Sequence, residues 1–325
     1  MAIKRTVMNG GIIWAATWGG VLPAEGDTCY IDHICSLSNE TFDIGATGTL
    51  HLNGNGSGIL IVAGVCTLIA GTIAEMECLS LAGPFQDLQI VGDCYTTVDE
   101  YWECYGGAEV TIDGNYTGGG PAADFGLRVA GTLTITEGHV ADGTAYGTGV
   151  YTYNGTGAHI VGDVIGTAGD NGIGVFNETD ASIEGDVTGT AGDDGSSGIY
   201  NYGTLISFGN IIGTAGDNGS FGIYNNIGTI YSDTMLATVG KNGVALHCSR
   251  SHIDPHPGDT VEITLRTGSG SKALVMDADS DLGACDIFSY LTDGDLPAEA
   301  DVKSGVTFGH EGEKTGALAP AMLVA

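Results

Sequence analysis

The sequence sets carboxylates at alternate positions in one short run, Asp277-x-Asp279-x-Asp281-x-Gly283. A hard divalent cation takes several oxygens from one tight turn, so this run predicts a calcium site with Asp277, Asp279 and Asp281 as ligands. It departs from the EF-hand pattern. Leu282 stands where the sharp-turn glycine belongs, and Phe288 stands where the bidentate glutamate belongs. A solvated acidic loop accounts for the same residues. A second acidic series recurs along the chain: Asp170, Asp193 and Asp217, with Asp194 beside it. In neighbouring strands these would lie about 4.8 Å apart. Splaying into solvent or a bound cation would relieve the repulsion. Asp and Asn before Gly also form turns on their own account. A catalytic site is singular, and this series repeats, so it reads as turn chemistry.

Asp99-Glu-Tyr-Trp-Glu103-Cys-Tyr105 combines carboxylates with aromatic rings. Glycosidases need two carboxylates, and rings suit sugars, but neighbours on a strand face opposite ways. An insertion packed on the body explains the cluster as well. His252 and His256 sit in a Pro-rich loop without a matching nucleophile or a third ligand. The Gly-rich turns lack the Lys-Ser/Thr and following helix of a phosphate-binding loop.

The elements that would position these residues are set by a repeat. Gly126-Leu-Arg-Val, Gly149-Val-Tyr-Thr, Gly174-Val-Phe-Asn, Gly198-Ile-Tyr-Asn and Gly222-Ile-Tyr-Asn are spaced by 23, 25, 24 and 24 residues. Gly-Thr-Ala-Gly-Asp-Asn/Asp-Gly recurs alongside from Gly166, Gly189 and Gly213. A fixed period of this size marks a solenoid, whose units bury their apolar faces only by stacking. Short alternating runs bounded by Gly and Asp/Asn read as strand and turn. The expectation is an all-β chain, a parallel β-helix of 23–25-residue coils with a small C-terminal β cap. The handedness rule for parallel crossovers makes it right-handed.

Alternation then assigns sides. Leu127, Val150, Val175, Ile199 and Ile223 face inward, and Arg128, Tyr151, Phe176, Tyr200 and Tyr224 face outward. Thr152, Asn177, Asn201 and Asn225 turn back inward, where stacked amides can hydrogen-bond along the axis. The outward rings could stack on one another, meet another subunit or hold a sugar. Outward Ile165, Ile206 and Ile212 add weight to a subunit interface through these apolar columns. The Thr series Thr144, Thr167, Thr190 and Thr214 is too narrow for an ice-binding array.

Residues 1–31 read as an opening and attachment segment, 32–115 as irregular first coils and 116–247 as regular coils. Residues 248–296 read as the cap, and 297–325 as a Pro-, Gly- and Ala-rich tail. Nine basic residues against forty acidic ones give a net charge of −31. That argues against nucleic acid, whose binding rests on Lys and Arg at phosphates. Residues 59–74 are uncharged but are broken by Gly64 and Gly71. They fall short of the roughly 20 apolar residues a spanning helix needs, so stacked strands rather than membrane insertion are expected. Asn9-Gly-Gly interrupts the stretch after Met1-Ala-Ile-Lys-Arg before a leader core forms. The eight cysteines, none in Cys-x-x-Cys, read as reduced, buried thiols, with Cys94 and Cys104 close enough in sequence to pair across a loop.

Two terminal stretches carry a resemblance. Trp14-x-x-x-Trp18-Gly-Gly-x-x-Pro23-x-x-Gly26-Asp27-x-x-x-Ile31 resembles the opening segment of β-helix proteins common among phage tail and surface proteins. Pro297-Ala-Glu-Ala-Asp301-Val-Lys-Ser-Gly305-Val-x-Phe-Gly309, followed by Gly316-Ala-Leu, is similar to a segment recurring in bacteriophage virion proteins. The resemblance covers about 50 residues in the two stretches. It implies a virion structural component: a tail fibre or spike, a head fibre or a capsid decoration protein. Such a component is a homotrimer assembled in the bacterial cytoplasm, in contact with other virion proteins and, at its far end, with host glycans. No catalytic residue comes with it. A tailspike-like polysaccharide depolymerase and a surface adhesin are the competing expectations.

Overall fold

A computed structural model of the chain describes residues 1–96, 102–104, 108–118, 125–129, 132–135, 140–142, 148–153, 158–257, 259–277, 279–291, 307–308 and 314–315. It is a β-solenoid with parallel strands throughout the stack. A regular coil has three sides. Ile173–Asn177, Ala181–Glu184 and Val187–Thr190 form one coil, and Ser197–Asn201, Thr204–Ser207 and Asn210–Ala215 form the next. Each strand pairs in parallel with its counterpart, as Ile173 with Ser197, Ala181 with Leu205 and Val187 with Ile211. We call the three sides the first, second and third faces in that order.

The predicted inward column is the core. Leu127, Val150, Val175, Ile199 and Ile223 are buried in exact register with one another. Burying an aliphatic side chain of this size stabilises by about 1.5–3 kcal/mol, so the repeat supplies its own driving force coil by coil. The residues that open each unit have a different task. A Cβ on Gly198 would lie 2.4 Å from the Thr214 nitrogen, and one on Gly174 would lie 2.4 Å from the Thr190 nitrogen. On the opposite wall, a Cβ on Gly189 would come 2.0 Å from the Gly198 oxygen. The first and third faces therefore touch backbone to backbone at this corner in the coils opened by Gly174 and Gly198, and a side chain does not fit there.

The early coils are irregular in a specific way. Ile59–Ala74 and Leu79–Tyr95 are each one continuous bent strand that runs along all three faces. The register shifts between Val62 and Gly64 and between Ile69 and Thr72. Gly64 (φ +77°) makes the first of these bends. The uncharged stretch that raised the membrane question is thus a complete coil with alternating burial. No described helix is long and apolar enough to cross a membrane.

Two boundaries differ from the sequence expectation. The opening segment already belongs to the stack, since Ile3–Arg5 pairs with Thr28–Tyr30 and Gly10–Gly11 with Cys35 and Ser36. The segment assigned as a cap is β-structured, and it closes the solenoid by continuing it. Val244–Ser249 pairs with Lys272–Met276, His252–Asp254 with Asp281–Leu282, and Val261–Thr267 with Cys285–Leu291, all in parallel. The strand after Asp254 begins only at Val261 and the strand after Met276 only at Asp281, and this wider spacing hides the period from sequence. In the tail, Thr307–Phe308 and Lys314–Thr315 pair antiparallel.

No disulfide links the eight cysteines, and six of them are buried. Burial pushes Cys35 up to about 11 and Cys29, Cys104 and Cys248 up to about 12. They behave as small hydrophobes, and no disulfide joins Cys94 to Cys104.

At the N-terminal end, Ile12 and Trp18 plug the core. Trp18 stacks on Phe42 at 5.9 Å, and its indole N–H donates to the Ile12 carbonyl at 2.5 Å. Asp27 ties this end down by accepting the Ala2 N–H at 2.7 Å and the Ala24 N–H at 3.1 Å. The Ala2 donor first, then the Ala24 donor, hold its carboxyl below the usual carboxylate range.

Two outcomes follow from this packing. Gly198→Val forces the touching faces apart and lowers stability by about 1–3 kcal/mol, read as a lower urea midpoint. A depressed folded pKa stabilises above the unfolded value near 4, and that contribution is lost as pH falls through the folded value. The Thr28 amide, which donates to the Ala2 carbonyl, should therefore lose protection relative to its intrinsic exchange rate below about pH 4. In Asp27→Asn, that acid dependence should disappear.

Candidate functional site

The first face carries the feature with the most chemistry on its outer side. Strand register aligns Glu103, Arg128, Tyr151, Phe176, Tyr200, Tyr224 and His247 in one outward column. The four aromatic rings follow one another along the axis at centroid distances of 5.1, 5.1 and 4.9 Å, the first contact stacked and the next two edge-to-face. His247 continues the column, stacked on Tyr224 at 4.7 Å with its ring nearly parallel. An ion pair closes one end, Glu103 with Arg128 at 3.6 Å, and at the other end the His247 Nε2 lies 3.4 Å from the Asp277 carboxylate. The Arg128 guanidinium also lies 4.0 Å from the Tyr153 ring. Every ring is half-buried by its neighbours. Each such pair stabilises by about 0.5–1.5 kcal/mol beyond area burial. Burial and the hydrogen bond to Glu178 push Tyr151 up to about 12, so its phenol stays protonated.

The adjacent inward column is polar and satisfied. Asn177 donates to Asn201 at 2.7 Å, Asn201 to Asn225 at 2.8 Å, and Asn225 to the His252 carbonyl at 2.8 Å. Thr152 heads this ladder by donating to Asn177. The remaining amide hydrogens reach the Thr204 and Gly203 carbonyls. A buried amide with no partner would cost about 1–3 kcal/mol. Stacking the same residue in each coil removes that cost.

The recurring aspartates act between coils. Asp170 accepts the Asp193 N–H at 2.9 Å, Asp193 the Asp217 N–H at 2.7 Å, and Asp217 the Lys241 N–H at 2.6 Å. Each carboxylate caps the turn of the next coil, which explains why a like-charged column persists. A second column does the same at another corner, where Asp163 accepts the Asp186 N–H and Asp186 the Asn210 N–H. Sequence reasoning missed that column, although Gly162-Asp163, Gly185-Asp186 and Gly209-Asn210 repeat at the coil period. Asp194 sits in the left-handed region at φ +62° and accepts from Asn218.

Asp277, Asp279 and Asp281 are not gathered around a point. Asp277 turns to Ser249 and His247, which hold its carboxyl below the usual range. Asp279 is exposed at φ +65°, and Asp281 begins a strand paired to His252. Among the described residues, no group of three His, Cys, Asp or Glu side chains converges as a metal site would.

The seven residues expected to share an interface fall on different faces. The aromatic column lies on the first face and Ile206 on the second. Ile165 and Ile212 lie on the third, separated by Thr188. All three isoleucines are partly buried. In the Thr series, Thr167, Thr190 and Thr214 align on the third face, and Thr144 lies outside the described residues. Of the 99–105 cluster, Trp102 is buried against Tyr116, whose hydroxyl donates to the Gly126 carbonyl at 3.0 Å. Asp99, Glu100, Tyr101 and Tyr105 lie outside the described residues.

His256 reaches back two coils. Its Nε2–H donates to the Ser207 carbonyl at 2.8 Å, and its ring stacks on Phe208 at 4.9 Å. Beside Phe208, which is 63% exposed, lies an open groove of about 360 Å³ lined also by Glu184 and Gly185.

The amide ladder makes a direct test available. Asn201→Ala strips Asn177 of its acceptor and Asn225 of its donor, at a cost of about 1–3 kcal/mol. Exposed Tyr202→Ser should stay within about 0.5 kcal/mol of the parent, and thermal unfolding compares the two.

No family model, curated protein or solved structure matches this chain, so the fold and these columns are what bear on function.

Proposed function

We propose that this chain is a non-enzymatic structural component of a bacteriophage virion, a β-helical appendage or decoration protein that associates with copies of itself and with other virion proteins. One observation carries the reading. The repeated polar columns are taken up by coil-to-coil bonds: the amides with each other, and the aspartates with the next turn. A rod whose repeats serve to hold the rod together suits a mechanical role. The terminal motifs beginning at Trp14 and Pro297 supply the virion part of the proposal. Fold alone does not give function.

A second reading, glycan binding, has the groove at Phe208 in its favour, because a carboxylate beside an exposed ring suits a sugar's hydroxyls and its apolar face. Mass spectrometry of gradient-purified particles of the encoding phage tests the first reading. Peptides of this chain should be present at a fixed ratio to the capsid protein. Their confinement to the particle-free lysate would overturn the virion role.

A further inference from the structure

Solenoid ends normally carry a polar outer face, because an apolar one would not stay in solution. The N-terminal end breaks that rule. Beneath it, Ile12 and Trp18 already close the core. Outside this plug a second apolar layer is left uncovered, with Val7 57%, Met8 51%, Trp14 60%, Val21 60% and Leu22 45% exposed. The layer is held in place. The Trp14 ring lies over Gly11, where a Cβ would meet it at 3.1 Å, and the Val7 N–H donates to the Thr17 carbonyl at 2.8 Å. Asn9 links it to the first face by accepting the N–H of Ile34, itself 48% exposed.

Charge decides what can cover this layer. Residues 1–34 hold two of the nine basic side chains and three of the forty acidic ones, and Glu40 and Asp43 join them from the open edge of Thr41–Asp43, so this end carries only a small share of the net −31. Its arginine is compensated locally, since Arg5 pairs with Asp32 at 3.0 Å. Two such chains repel along their flanks. An end-to-end contact joins the weakly charged apolar surfaces and points the acidic bodies away from each other. A twofold contact of this kind uses one patch twice and closes after two copies.

We propose that the N-terminal end, centred on Trp14, is a self-association surface that pairs two copies of this chain end to end. The inference deepens the structural reading by naming its self-contact, and it shifts that contact from the outward aromatic and isoleucine columns to the N-terminal end.

Trp14 supplies the readout, because the other two tryptophans, Trp18 and Trp102, are buried. Sedimentation of the full chain across a concentration series should show a monomer passing to a dimer. Over the same range, tryptophan emission should shift to the blue and acrylamide quenching should fall. Trp14→Glu and, independently, Leu22→Glu should leave a folded monomer by circular dichroism, while Tyr202→Ser should associate like the parent. A monomer at every concentration, with Trp14 equally quenched throughout, would overturn the proposal. So would a dimer that survives both glutamate substitutions. Neither result bears on whether the chain is found in particles, so the two proposals fail separately.

Discussion

The structure depends on a contact between two walls that have no side chains where they meet. Gly149, Gly174, Gly198 and Gly222 on the first face abut the third face, where Gly166, Gly189 and Gly213 lie. With backbone against backbone, the coil closes in three short strands, and the aliphatic column beside each glycine is sealed. The series ends in Ala245 on the first face and reaches Ala237 on the third, but at Gly174, Gly189 and Gly198 a larger residue would open the corner. Every further column exists because this register repeats.

Once the register is fixed, placing one residue type in each coil settles several costs together. Buried asparagines become each other's partners, so a polar core line needs no water. Turn aspartates become acceptors for the next turn's N–H, which turns a potential repulsion into coil-to-coil bonding. Outward rings half-bury one another and close on Arg128 at one end and His247 at the other. These columns consist of the residue types that usually signal a site: amides, carboxylates, aromatics and a histidine. Here their repetition satisfies them internally. Features that do not repeat, among them Trp14 at the N-terminal end and Phe208 beside its groove, have no such internal column and stay exposed.

Much of this was legible in the sequence because a solenoid maps sequence period directly onto spatial neighbourhood. The spacing of Gly126, Gly149, Gly174, Gly198 and Gly222 gave the coil, and period-two alternation gave the sides of Val175, Phe176 and Asn177. The reading faltered where the period changes. After His247 the wider spacing from Asp254 to Val261 and from Met276 to Asp281 disguises coils that still pair strand for strand with those before them. Between 59 and 95, each coil is a single bent strand, so few turn residues other than glycine mark its corners.

The sequence by itself determined which residues stack on which, since a fixed repeat leaves side-chain alternation and column identity no freedom. Only the tertiary structure decided what each column faces. Around a closed coil, alternation says in or out but not which of three sides, and it placed Ile165, Ile206 and the aromatic column on different ones. It also decided that the Asp277 carboxylate meets His247 rather than Asp279 and Asp281, because the corner turns Asp279 outward through a left-handed backbone. That Trp14 lies outside the plug while Trp18 lies within it follows from how one short helical turn, Ala15–Trp18, sits across the open end. Such a turn carries one ring into the core and leaves the other in water.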